Sequence, residues 1–221
     1  MQSNGHKYII EFGKEGTLRY TSHLDLLRLF QRILRRCGIP LVHSQGFNPH
    51  PKMSFAQPLS LGYTATHEML EIETVRPLDL LSVREELGAA SPEGLTILDV
   101  RAGKKETKSL AGATRAAWYT IVLPVTLEDT EDAIRRYLSQ DAILAEKRQK
   151  KTKEMVAKDI KPMILDLTGE TASGQTVLKL HCACGSQANL SPEQVIATFL
   201  AFTQIPVPRY EIQVCRDRLE M

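Results

Sequence analysis

The sequence predicts an α+β protein built from two tandem ferredoxin-like units, each a βαββαβ antiparallel sheet with two helices on one face. The chain has 221 residues, enough for two small domains. Strand-like and helical hydrophobic patterns alternate in the same order in both halves. A polar, glycine-containing stretch separates them. We therefore predict a first unit at residues 1–103, a linker at 104–115 and a second unit at 116–221.

The first half has the order strand, helix, strand, strand, helix, strand. The predicted strands are Lys7–Phe12, Lys52–Ala56, Glu68–Val75 and Leu95–Arg101, with Gly16–Tyr20 extending or pairing with the first. The predicted helices are Ser22 to about Cys37 and Leu78–Ala90. Gly38 and Pro40 end the first helix, because glycine adopts the left-handed conformation after a helix and proline cannot continue one.

The second half repeats this alternation without a recognisable sequence repeat. Its predicted strands are Trp118–Val125, Ile143–Lys147, Lys161–Thr168, Val177–Cys184 and Arg209–Arg216, and its helices are Leu127–Leu138 and Ser191–Thr203. Ser191 followed by Pro192 and Gln194 predicts a helix start with a capping box.

Composition excludes several classes of protein. The formal net charge is only +2, so the total charge does not demand a nucleic-acid partner. No apolar run approaches the ~20 residues of a membrane span, and the polar start lacks a signal-peptide core. The four cysteines are too sparse for a disulfide scaffold, which leaves buried thiols as the expectation for Cys182 and Cys184. We expect a cytoplasmic protein without a membrane partner.

The start of the first helix combines a predicted helix cap with a histidine. Ser22 and Asp25 have the spacing of a capping box, and His23 follows the cap directly. Helical spacing places His23 near the apolar side, where a histidine is usually packed and hydrogen-bonded. The positive end of a helix beside a histidine also suits an anion, so both interpretations stay open.

Four arginines lie on one face of this helix. Arg28, Arg32, Arg35 and Arg36 are spaced i, i+4, i+7 and i+8. Such a stripe is often only a solvated surface. The planar guanidinium fork nevertheless suits phosphate, and only Asp25 is available to neutralise these four charges locally. Contact with phosphate or RNA is the second interpretation.

The polar segment Ser44–Pro51 follows this helix. Gln45, Asn48 and His50 supply hydrogen-bond donors and acceptors, and the prolines stiffen the segment. Phe47 is predicted to fill the core, with stacking on a base or cofactor as the alternative.

The densest basic run is Lys147–Lys158, which includes Lys150 and Lys151. It is either a solubilising surface or an RNA-binding one.

Motifs for other chemistries are missing from the sequence. Neither nucleotide-binding glycine loop occurs, and there is no GxSxG nucleophile motif. His23, His43 and His50 lack a recognised metal-ligand spacing, and Cys182 and Cys184 lack a second cysteine pair. We therefore expect no metal and no cofactor in this chain.

The run GTLRYTSHLDLLRLFQRILRRCGIPLVHSQGFNPHPKMSFAQPLSLGYTATHEMLEIE resembles the radical-SAM-linked family, a domain of unknown function found alone or fused behind cobalamin-binding radical SAM proteins. The motifs SHLD, R-x₃-R-x₂-RR, SQGFNPHP and P-L-x-L-G stand in order, and KDIKPMILDL resembles a second recurring segment. The resemblance covers essentially the whole chain.

This resemblance implies a radical SAM enzyme as partner, acting in trans because the chain carries no radical SAM domain of its own. It also hints at RNA modification, with tRNA or rRNA as the bound molecule. Catalysis by this chain alone is not expected, and any cofactor would reside in the partner. Two alternatives stay open: an RNA-processing enzyme with His23 or His50 as general acid or base, and a purely structural partner subunit.

Overall fold

The computed structural model describes residues 5–103, 108–148 and 154–221. Its contacts divide the chain into two units, Met1–Thr114 together with Met221 and Arg115–Glu220. Helices and mainly antiparallel strands alternate in both units. The predicted α+β class is therefore confirmed.

Where the structure describes it, the first unit contains four strands and three α-helices. These are β1 (His6–Lys14), α1 (His23–Arg36), β2 (Met53–Phe55), β3 (Thr64–Thr74), α2 (Leu80–Ala90), β4 (Leu95–Ala102) and the one-turn α3 (Leu110–Ala113). The strands form an antiparallel sheet in the order β4-β1-β3-β2.

The core of the first unit lies between this sheet and its helices. Alternate residues of β1, Ile10 and Phe12, point toward α1, whose Phe30 and Leu34 are fully buried. Leu70 of β3 completes the centre of the cluster. Strand alternation and the apolar side of an amphipathic helix together produce this layer.

The end of α1 follows from two residues after it. Gly38 has a φ of +64°, a conformation that glycine adopts without steric cost. Its N–H donates to the carbonyl of Arg35, and the N–H of Ile39 donates to that of Leu34. This pair of bonds is a Schellman motif, so the predicted stop at Gly38 is confirmed.

The second unit contains six strands and two helices within its described residues. These are β5 (Ala116–Leu123), α4 (Thr130–Ser139), β6 (Leu144–Arg148), β7 (Met155–Asp159), β8 (Ile164–Ala172), β9 (Gln175–Ala183), α5 (Pro192–Thr203) and β10 (Gln213–Glu220). Four strands form an antiparallel sheet in the order β10-β5-β9-β8. β6 and β7 pair with each other as a separate hairpin.

The helices of the second unit meet through aromatic rings. Tyr137 of α4 packs edge-on against Phe199 of α5, with ring centroids 5.3 Å apart. Both side chains are fully buried, and the Tyr137 hydroxyl keeps a hydrogen bond to Thr198 (2.7 Å). Burial raises the pKa of the Tyr137 phenol to about 12, so it stays neutral at physiological pH.

Several predicted elements differ from the structure. Gly16–Tyr20 is a 3₁₀ helix and not an extension of β1, because it turns the chain from the end of β1 into α1. Lys161–Met163 and Arg209–Glu211 are likewise 3₁₀ turns, so the strands after them begin later than predicted, at Ile164 and Gln213. Ser191 starts α5 without the predicted side-chain cap, since Gln194 N–H donates to its backbone carbonyl.

The predicted linker contains a helical turn. Leu110–Ala113 forms α3, where Ser109 caps the first turn and Leu110 is buried. Residues 104–107 of this stretch lie outside the described residues. In the part of the chain that the structure describes, no helix is long and apolar enough to cross a membrane.

Candidate functional site

The first turn of α1 has the predicted cap. The Ser22 hydroxyl accepts a hydrogen bond from the Asp25 N–H (3.2 Å) and donates one to the Asp25 carboxylate (2.6 Å). The bond from Ser22 holds the pKa of Asp25 below its usual range, and the nearby Arg28 charge adds to this effect. Ser22 and Asp25 of the SHLD motif therefore stabilise the start of the helix.

Replacing Ser22 by alanine is expected to lower the free energy of unfolding by about 1 kcal/mol, because one N–H of the first turn loses its acceptor. The same change should return the pKa of Asp25 toward its ordinary value. Because the pKa of Asp25 is lower in the folded protein than in the unfolded chain, its carboxylate stabilises the fold at pH values above the unfolded pKa. This stabilisation is lost as the pH falls through the pKa of the folded protein. Carboxyl NMR titration and denaturant unfolding at neutral and acidic pH measure both effects; Ser22→Thr is the control that keeps the hydroxyl.

A small cavity next to this cap contains two buried charges, and we name it the α1 cavity. Lys14 is 1% exposed and Glu68 is 2% exposed, and both line it. The Lys14 ammonium also donates to the carbonyl of Thr21 (3.4 Å), just before α1. Lysine and glutamate are almost never fully buried without compensating charge, so this placement is a marked feature of the unit.

His23 lies at the mouth of the α1 cavity. Its ring meets Phe55 edge-on, with centroids 5.3 Å apart, and Phe55 in turn contacts Phe12 and Phe30. The imidazole is thus half-buried and packed against an aromatic ring, which agrees with the packing that the first interpretation of the sequence expected. The cavity measures about 10 Å³, which leaves room for one water molecule and none for a nucleotide.

The sequence contained a signal for the buried charges that the motif search missed. Lys14 continues the two-residue spacing of the inward-facing Tyr8, Ile10 and Phe12 in β1. Glu68 is likewise two residues from the inward-facing Leu70 in β3. A charge at an inward position of an alternating strand is the mark of a buried polar group. Neither residue was among the predicted site residues.

The arginine face of α1 is exposed as the helical spacing predicts. We use this name for Arg28, Arg32, Arg35 and Arg36, all of which are exposed. Within the described residues, its ion pair is between Arg28 and Asp25 (3.4 Å). Arg36 has one long hydrogen bond to the carbonyl of Ala90 (3.5 Å). Most of the positive charge on this face therefore points into solvent.

The 44–51 loop is exposed and is closed by hydrogen bonds between its two ends. The Ser44 N–H donates to the carbonyl of His50 (2.8 Å), and the His50 N–H donates to the Ser44 hydroxyl (3.0 Å). His43 and Pro51 form a bridge at its base. Gly46 adopts a φ of +126°, which disfavours any residue with a Cβ.

The side chains of this loop point outward. Gln45, Asn48 and His50 are exposed, and their role as donors and acceptors to a ligand stays a prediction. Phe47 is 113% exposed, so the prediction that it fills the core is wrong. The bridge at His43 and Pro51 holds the intervening residues beyond the sheet, where the core is out of reach.

The loop and His23 lie at different ends of the first unit. Phe55, beside His23, pairs with Leu70 of β3, whereas Leu41, which precedes the loop, pairs with Thr74. From Glu68 in the α1 cavity to Thr74, an extended strand spans about 20 Å. The structure therefore does not bring His23 and His50 together. The loop instead shares its end with Arg35 and Arg36, the last turn of α1.

The remaining predicted residues are in the second unit. Lys150 and Lys151 lie outside the described residues, while Lys158 in β7 is exposed. Cys182 and Cys184 are buried as expected, and burial raises the pKa of Cys182 to about 12. Among the residues that the structure describes, no group of three or more His, Cys, Asp or Glu side chains is placed to hold a metal ion.

Comparison with known proteins adds a family and a fold. No curated protein sequence matches the chain. In fold, it is similar to a chain in the crystal structure of a Cbf5-Nop10-Gar1 complex, with a TM-score of 0.50 and 10% identity. The match covers 98% of this chain and 49% of that one, so this chain spans about half the length of its neighbour. An unknown protein from Galdieria sulphuraria matches over 99% of this chain and its own full length at 10% identity and a TM-score of 0.28.

A family profile described as an uncharacterized protein conserved in bacteria (DUF2344) matches residues 7–192. This range includes the α1 cavity, the arginine face and the 44–51 loop. The chain therefore belongs to the bacterial DUF2344 family.

Proposed function

We propose that this protein is an accessory protein that binds RNA, either tRNA or rRNA, and presents it to a separate radical SAM enzyme. The observation that carries the RNA-binding part is the exposed arginine face, whose last turn lies at the same end of the first unit as the 44–51 loop. The radical SAM partner is supported by the resemblance of the SHLD and SQGFNPHP motifs to the radical-SAM-linked family. The reaction and its cofactor would belong to that partner.

The arginine face has the chemistry that phosphate binding needs. Successive turns of an α-helix repeat every 5.4 Å or so, and each of the last turns of α1 presents at least one guanidinium. Guanidinium groups donate in a planar fork that fits phosphate oxygens. Because only Asp25 pairs with the arginine face among the described residues, little charge must be displaced when a phosphate approaches.

The tandem ferredoxin-like architecture is part of the proposal. The strand orders β4-β1-β3-β2 and β10-β5-β9-β8 place the first and third strands of each unit in the centre, with every neighbouring pair antiparallel. The second unit differs by the β6–β7 hairpin, which is inserted after α4. A βαββαβ unit with this strand order is ferredoxin-like.

Replacing both Arg32 and Arg36 by alanine is expected to weaken RNA binding about 10-fold at physiological salt. Each lost phosphate contact removes about 0.7 from the slope of log affinity against log salt for a single strand, so the slope should fall by roughly 1.4. Fluorescence anisotropy with labelled RNA over a series of salt concentrations measures both quantities.

The matched control replaces Arg135 and Arg136 of α4 by alanine. It removes the same formal charge from another exposed helix, where both arginines already pair with Asp132. Binding that is independent of salt, or that both double variants weaken equally, would contradict a role for the arginine face. Purification from the native cell with a protein partner and without nucleic acid would favour the purely structural alternative.

The enzymatic alternative receives less support from the geometry. His23 is packed against Phe55 beside a cavity of about 10 Å³, and His50 projects from the far end of the unit. They cannot act as an acid and base on one substrate atom, because that role requires both groups within hydrogen-bond reach of it. A His50→Ala protein should therefore have the same effect as the wild type on RNA incubated with it.

A further inference from the structure

We propose that the 44–51 loop stacks an unpaired nucleobase on Phe47, so that the protein binds single-stranded or looped RNA in preference to a duplex. This inference rests on the proposed RNA-binding function and specifies its substrate class. It assigns a binding role to Phe47, an aromatic residue that does not pack in the core.

Phe47 is placed where a partner can reach both faces of its ring. Its side chain is as fully exposed as in an extended, unfolded chain. The other large hydrophobic residues of the first unit that are exposed, such as Leu81 at 76%, still retain part of their cover. An aromatic side chain held wholly in water gives nothing to folding, because its apolar surface stays hydrated.

The backbone around Phe47 is fixed before any ligand binds. The two hydrogen bonds between Ser44 and His50 close the loop, and Pro49 restricts the chain between them. Gly46, with its φ of +126°, sets the turn immediately before Phe47. A loop that is ordered in advance loses less conformational entropy on binding, so a single stacking contact contributes more to affinity.

The charges near the loop favour a nucleic acid over an apolar protein pocket as its partner. The last turn of α1 brings Arg35 and Arg36 to the same end of the unit, and both are exposed. Lys52, just after the loop, is paired with Glu73 (2.9 Å), so that acid is already neutralised. Exposed cations that follow a backbone together with an aromatic ring that stacks on bases are the usual elements of single-strand recognition.

Duplex RNA does not suit this arrangement. In an A-form helix the faces of the bases are covered by their neighbours, and the major groove is too narrow for side chains to read. Phe47 can stack only on a base that is already unstacked. The predicted preference for unpaired RNA follows from this geometry.

The test compares three labelled probes of about 12 nucleotides: oligouridine, the same strand with abasic sites in place of its bases, and a duplex of equal length. For Phe47→Ala, binding to oligouridine should weaken about 10-fold, while binding to the abasic strand and the duplex should stay unchanged. Phe47→Trp keeps a stacking surface and should bind oligouridine at least as tightly as the wild type. Phe47→Leu keeps apolar volume without a π-face and should resemble Phe47→Ala.

The outcomes separate this inference from the proposed function. If Phe47→Ala binds oligouridine as tightly as the wild type while the Arg32 and Arg36 double variant does not, the stacking role is overturned and RNA binding stands. Equal losses for Phe47→Ala on the abasic strand and on oligouridine would also overturn it. If the wild-type protein binds none of the three probes, the proposed function itself fails.

Discussion

Replacing Lys14 by methionine is expected to lower the free energy of unfolding by about 3–5 kcal/mol. The Lys14 ammonium and the Glu68 carboxylate line one small cavity and are almost completely inaccessible to solvent. Removing the positive charge takes a compensating charge away from a carboxylate that is itself almost completely buried. Urea unfolding followed by circular dichroism at neutral pH measures the change.

Two further variants make this expectation specific. Lys52→Met removes an exposed lysine that is paired with Glu73 (2.9 Å), and it should cost less than about 1 kcal/mol. The double variant Lys14→Met with Glu68→Met removes both buried charges and should recover most of the lost stability. If Lys14→Met costs no more than Lys52→Met, the buried charges do not stabilise each other.

Replacing Phe30 by alanine is expected to cost a similar amount, about 3–5 kcal/mol, for a different reason. Phe30 is fully buried and meets Phe12 and Phe55 edge-on, with ring centroids 4.8 and 5.8 Å away. Its removal leaves a cavity between α1 and the sheet. Because Phe55 also supports His23, the imidazole should become more mobile, which NMR of the His23 ring can detect.

Phe47→Ala is the matched control for this second prediction. It makes the same chemical change at a residue that is completely exposed, so the unfolding free energy should change by less than about 0.5 kcal/mol. Phe30→Leu, which keeps most of the apolar volume, should fall between the two. Similar losses for Phe30→Ala and Phe47→Ala would show that the aromatic cluster is not the centre of the core.

Local signals in the sequence predicted α1 almost completely. Ser22 and Asp25 identified its start, Gly38 its end, and the spacing of the arginines its exposed face. These features depend on residues within one or two turns of each other, which a sequence displays directly. The 3₁₀ turn at Gly16–Tyr20 was mistaken for a strand because its five residues carry no helical period.

The placement of the site residues depended on tertiary structure and was harder to predict. Burial of Lys14 and Glu68 arises because two strands and the start of α1 close around one point, which no single segment shows. The apolar side chain of Phe47 favours the core from sequence, with stacking on a base or cofactor as the alternative. The bridge between His43 and Pro51, a contact across the loop, keeps it outside.

The length of α1 has a consequence for genetics. Its 14 residues run from the α1 cavity toward the end of the unit that carries the 44–51 loop, and the extended chain from Pro51 to Phe55 of the cavity spans about 13 Å. Substitutions this far apart usually have additive effects on free energy. A population of natural variants can therefore alter the exposed loop without first acquiring compensating changes in the buried end.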